Sequence, residues 1–91
     1  MVSVGRRVLI IDDEEDIRQV AALSLEMVAG WQVLTAASGA EGMARAGIEK
    51  PDAILLDVMM PGMDGPTTYL EMQKNPETAG IPVLLLTAKV Q

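Results

Sequence analysis

A chain of 91 residues has room for one small core, burying about 60 to 65% of the surface its extended form would expose. Its net charge of -6 and pI near 4.4 exclude non-specific attraction to nucleic acid phosphates or an anionic membrane surface, and no apolar run approaches the roughly 20 residues of a membrane span. The lack of Cys and His excludes disulfides and leaves a zinc or haem site without its usual ligands, while seven Met and no Phe require an aliphatic core.

The first element is "VLII", Val8 to Ile11, an apolar run that leads straight into five carboxylates, Asp12, Asp13, Glu14, Glu15 and Asp16. Apolar residues without polar alternation predict a strand covered on both faces. Like charges this close need water around them or a cation among them. From Ile17 onward, Ile17, Val20, Ala21, Ser24, Met27 and Val28 recur at offsets of three and four. That spacing predicts a helix with this stripe turned inward, capped by Asp13 and ended by Gly30. Glu14, Glu15 and Asp16 then sit in its first turn, where negative charge offsets the helix dipole.

"WQVLTA", Trp31 to Ala36, alternates only in part and predicts a strand nearer a sheet edge. Ser38 with Glu41 three residues on forms a capping box for a second helix, which runs through Met43, Ala44 and Ala46 until Gly47 and Pro51 stop it. "AILL", Ala53 to Leu56, is a third strand closed by Asp57. The loop "DVMMPGMDG" carries Pro61, Gly62 and Gly65 for turns, and of its methionines Met59, Met60 and Met63 at least one is expected to fill core space. Asp64 is placed to cap a third helix with Pro66 in its first turn. The last run, "IPVLLL" from Ile81 to Leu86, is closed by Thr87.

The order β-α-β-α-β-α-β predicts an α/β fold with a doubly wound parallel sheet and helices on both faces. In such sheets ligands bind beyond the carboxyl ends of the strands, where the winding reverses. If the first and third strands are neighbours, Asp12, Asp13 and Asp57 meet in one pocket. Three carboxylates without a soft ligand favour Mg²⁺ or Mn²⁺. A carboxylate beside such a cation can attack phosphorus in line, and Asp57, alone at its strand end, is the expected nucleophile. Thr87 could donate its hydroxyl to a phosphoryl oxygen, although a structural hydroxyl is the commoner use of Thr in a strand. Lys89 reads as an ordinary solvated lysine.

The stretches "VLIIDDEEDIR", "PDAILLDVMMPGMDG" and "IPVLLLTA" resemble, in order and across essentially the whole chain, the receiver domain of two-component response regulators. The resemblance implies a flavodoxin-like topology with strand order 2-1-3-4-5. It implies that Asp57 is phosphoacceptor and metal ligand, that Asp13 binds Mg²⁺ directly and Asp12 largely through water, and that the Met59 backbone carbonyl is the remaining protein ligand. Thr87 matches the switch hydroxyl and Ala88 the small residue beside it. The implied partners are a histidine kinase or phosphotransfer protein, with an output domain or a homodimer as further contacts and no direct binding to nucleic acid or membrane. A cytoplasmic location is expected, and no turnover as an enzyme. By the same resemblance residues 1–91 are a receiver of four strands and three helices. The family's fourth helix, fifth strand and fifth helix lie beyond them, with the lysine and the aromatic residue of that strand.

Two other functions stay open at this point. One is a Mg²⁺-dependent phosphohydrolase of the haloacid-dehalogenase type, whose D-x-D pattern is met by Asp12 but not by Glu14. The other is a protein-binding module of the same fold without phosphoryl chemistry.

Overall fold

The computed structural model describes residues 6–86. Strands β1 (Arg7–Ile11), β2 (Gln32–Ala36), β3 (Ala53–Asp57) and β4 (Val83–Leu86) alternate with helices α1 (Glu15–Ser24), α2 (Gly39–Glu49) and α3 (Gly65–Lys74). A π-helical turn, Leu25–Ala29, extends α1 to Gly30, which adopts the left-handed conformation (φ 69°) expected of a terminating glycine. All four strands are parallel, in the order β2-β1-β3-β4. This is the doubly wound, flavodoxin-like arrangement, with β2 at one edge as its weaker alternation indicated.

The core lies between the sheet and the helices α2 and α3. Leu9, Ile11, Ile54 and Leu56 are fully buried there, with Ala46 from α2 and Met72 from α3. Ser38 caps α2 through its hydroxyl, which accepts from the Glu41 amide at 3.1 Å, while the Glu41 carboxylate reaches back to the Ala37 amide at 2.9 Å. Asp64 caps α3 by accepting from the Thr67 amide at 2.9 Å, with Pro66 in the first turn. That backbone donor, and then the Thr67 hydroxyl, hold the Asp64 carboxyl below its ordinary pKa.

Three expectations are corrected. The stripe of Ile17, Val20, Ser24, Met27 and Val28 faces solvent. The side of α1 that approaches the sheet is instead Arg18, Ala21, Ala22 and Leu25, at the same helical spacing but rotated. Small side chains let α1 lie close over β1 and β2, and among the described residues no second helix flanks it to cover the larger ones. Asp13 is not the N-cap of α1. Glu14 holds that position without a side-chain bond, and its amide is taken by the Asp12 carboxylate at 2.9 Å.

Nor does Gly47 end α2. The helix continues to Glu49 and closes at Lys50, whose left-handed backbone (φ 52°) is accompanied by side-chain bonds to the carbonyl and carboxylate of Glu77. That lysine holds the Glu77 carboxyl below its ordinary pKa, through the hydrogen bond first and its charge second. At the other edge of the sheet, β4 is only partly covered. Leu84, Leu85 and Leu86 are exposed, since β4 pairs with β3 on one side only among the described residues.

The position of Gly47 carries a prediction. A methyl group added there meets nothing within 4 Å, and the residue lies inside a helix, so the glycine costs backbone entropy without serving contact. Gly47→Ala is expected to raise stability by about 0.5 to 1 kcal/mol, read as a higher urea midpoint at unchanged slope. A lowered midpoint would contradict the helical placement.

Candidate metal and phosphoryl site

Each strand of the central pair delivers an aspartate to the same end of the sheet. Ile11 of β1 lies beside Leu56 of β3, so Asp12 and Asp57 emerge level with one another. One carboxylate oxygen from each of Asp12, Asp13 and Asp57 comes within 4.8 Å of the others. Asp12 is 5% exposed and Asp57 1%, whereas Asp13 is open to solvent. The convergence predicted from the sequence is therefore present.

The loop backbone is held from several directions. The Asp12 amide donates to the Ala36 carbonyl of β2 at 3.1 Å, and the Asp12 carbonyl accepts from the Arg18 guanidinium at 2.7 Å. On the other strand, the Met59 amide donates to Asp57 Oδ1 at 3.3 Å, and the Val58 amide to the Leu86 carbonyl at 3.1 Å. The first turn of α3 comes down on this loop at Gly65. A Cβ there would collide with the backbone of Asp57 and Val58, so glycine permits the approach.

Met59 is 60% exposed at the rim of a groove of about 440 Å³, lined also by Val58, Met60, Pro61, Asp64 and Pro66, and of this loop's methionines Met60 is buried in the core. Thr87, Ala88 and Lys89 lie outside the described residues. Arg18 was not singled out from the sequence. The available signal was a charged residue on the inward face of α1, hidden because the larger apolar residues suggested a different face.

A divalent cation suits this donor set. Two nearly buried carboxylates and one exposed one, all hard oxygen donors, leave a net negative cavity that Mg²⁺ would neutralise while keeping several of its own waters.

The family model for the response regulator receiver domain matches residues 8–91. The chain belongs to that family. The receiver is 45% identical over 82 residues to the DNA-binding dual master transcriptional regulator RpaA of Synechocystis, covering 90% of this chain and 34% of that protein. It is 41% identical over 85 residues to protein PilH of Pseudomonas aeruginosa, covering 93% of this chain and 69% of that one. Against the transcriptional regulators it matches, the receiver thus spans about a third of their length.

Among solved structures, the N-terminal domain of a response regulator receiver protein from Methanoculleus marisnigri superposes with a TM-score of 0.88 at 40% identity, covering 94% of this chain and 69% of that chain. The receiver domain of a sensor histidine kinase from Pseudomonas aeruginosa, with a magnesium ion coordinated in its active site cleft, gives 0.82 at 26% identity, covering 94% and 70%. A receiver domain is the phosphoacceptor module of two-component signalling. No helix among the described residues is long and apolar enough to cross a membrane.

Proposed function

We propose that Asp57 accepts a phosphoryl group from the phosphohistidine of a histidine kinase or phosphotransfer protein, at a Mg²⁺ site made by Asp12, Asp13, Asp57 and the Met59 backbone carbonyl. The observation that carries the proposal is the meeting of three carboxylates within 4.8 Å at the end of the two central strands. An oxygen of Asp57 attacks phosphorus in line. The new O–P bond forms as the bond from phosphorus to the donor imidazole breaks, and that nitrogen keeps the electron pair. Bound Mg²⁺ supplies neutralisation of the charge on the phosphoryl oxygens. The Met59 amide fixes the Asp57 carboxylate by its hydrogen bond to Oδ1, and Arg18 and Ala36 fix the backbone that bears Asp12. Asp12 acts largely through water, and Thr87 donates its hydroxyl to the transferred group.

Support for the partners comes from the relatives, which include transcriptional regulators and the receivers of sensor kinases. An output domain or a second copy of the chain is accordingly a further contact, in a cytoplasmic protein. Incubation with acetyl phosphate and MgCl₂ tests the chemistry by intact-mass spectrometry. One phosphoryl group per chain is expected, and none when EDTA replaces the metal. An unmodified mass would overturn the proposal and leave a binding module of this fold. Multiple turnover of a phosphomonoester would instead reveal a hydrolase.

A further inference from the structure

Among the described residues Asp12 is held at three points, one of them by a side chain from elsewhere in the chain. Its amide bonds to Ala36 of the neighbouring strand and its carboxylate Oδ1 takes the Glu14 amide, both backbone donor or acceptor pairings that the fold supplies wherever the chain turns this way. Its carbonyl is bonded by Arg18 Nη1 at 2.7 Å. That carbonyl and the Asp13 amide belong to one rigid peptide plane, so orienting it sets the backbone angles on either side and with them the directions of both carboxylates.

Arg18 is well placed to do this. It lies on the inward face of α1 with Ala21, Ala22 and Leu25, half-buried, and its planar guanidinium is tied to the loop by that bond. A residue on that face with no polar task would ordinarily be apolar, as Leu25 is.

We infer that Arg18 is a positioning residue for the metal site, holding the Asp12–Asp13 peptide so that both carboxylates face Asp57. This rests on the Mg²⁺ site proposed above. Side chains that orient metal ligands without touching the ion commonly account for about 10- to 100-fold in metal affinity. Repulsion between the guanidinium and the cation acts in the opposite direction. It is weakened by Glu15, which lines the same groove as Arg18, and by salt. Positioning is therefore the larger effect, and loss of Arg18 lowers affinity.

The test is a MgCl₂ titration of the wild-type chain, Arg18→Met and Arg18→Lys, followed by amide NMR shifts, with melting temperatures of all three in EDTA. Arg18→Met keeps the stem and removes the donor, and Arg18→Lys restores one charged donor on a shorter reach. Wild type should show shifts concentrated at residues 12, 13 and 57–59. Arg18→Met should bind Mg²⁺ about tenfold or more weakly, with Arg18→Lys between the two. A dispersed amide spectrum in EDTA shows that Arg18→Met is folded, and should the variant fail to fold, Arg18→Lys alone against wild type decides. Unchanged affinity in the variants beside a lowered melting temperature would overturn the inference and leave Arg18 as packing. Tighter binding by Arg18→Met would also overturn it, by showing charge repulsion to dominate. A wild-type chain without localised shifts would overturn the Mg²⁺ site itself, and the inference with it.

Discussion

Asp57→Asn is expected to abolish the phosphoryl adduct formed with acetyl phosphate while leaving the fold intact. The amide occupies nearly the same volume and can keep an oxygen in place to accept from the Met59 amide, so the β3–α3 loop should hold its course. What it loses is the anionic oxygen that attacks phosphorus. The substitution also removes one of three negative charges lying within 4.8 Å of each other, so the variant in EDTA should melt no lower than wild type. Asp13→Asn provides the contrast. Its nucleophile is intact, and phosphorylation should fall through weaker metal binding and recover in part as MgCl₂ is raised. Intact-mass spectrometry over a MgCl₂ series separates the two variants. Undiminished labelling of Asp57→Asn would mean that another carboxylate is the acceptor.

Mg²⁺ itself should stabilise the chain strongly for so small a unit. Without a cation, folding must bring Asp12, Asp13 and Asp57 together against their mutual repulsion, with two of them almost out of water. A ligand that binds only the folded state at ten times its Kd adds about 1.4 kcal/mol. In a domain of this size that is a rise in Tm of about 6 to 11 °C. Asp13→Asn should reduce the rise, and CaCl₂ at equal concentration should give a smaller one, since the larger ion wants more oxygen ligands than this site offers. Differential scanning calorimetry in EDTA, MgCl₂ and NaCl of matched ionic strength measures the effect. Equal melting in all three would contradict a specific site.

Much of this was legible in the sequence because parallel strands leave a plain trace. "VLII" and "AILL" are continuous apolar runs, each meeting aspartate where the chain leaves the sheet, and the register of Ile11 with Leu56 brings those ends together. Ser38 with Glu41, and Asp64 with Pro66, marked helix starts by side-chain chemistry that acts over three residues, which a linear reading can find. The orientation of α1 was not legible. Its large apolar residues point to solvent, while the face against the sheet is made of two alanines, a leucine and an arginine. Periodicity reports that a helix has an apolar stripe, but which stripe is buried depends on what lies beside it in space. Gly47 misled for a related reason. Glycine is a common helix stop, yet α2 continues through it to Glu49, and the Glu77 contact that accompanies Lys50 comes from tertiary structure. Likewise "VLLL" reads as an interior strand, and how far β4 is covered depends on neighbours in space that the run itself does not name.

The most direct test of the account is to locate the phosphoryl group. After reaction with acetyl phosphate in MgCl₂, borohydride reduces an acyl phosphate on aspartate to homoserine, which tandem mass spectrometry assigns to a single position. Homoserine is expected at position 57 alone, dependent on MgCl₂ and absent from Asp57→Asn. Homoserine at position 12, 13 or 64, or a phosphoryl group that survives hydroxylamine because it sits on a hydroxyl, would contradict it.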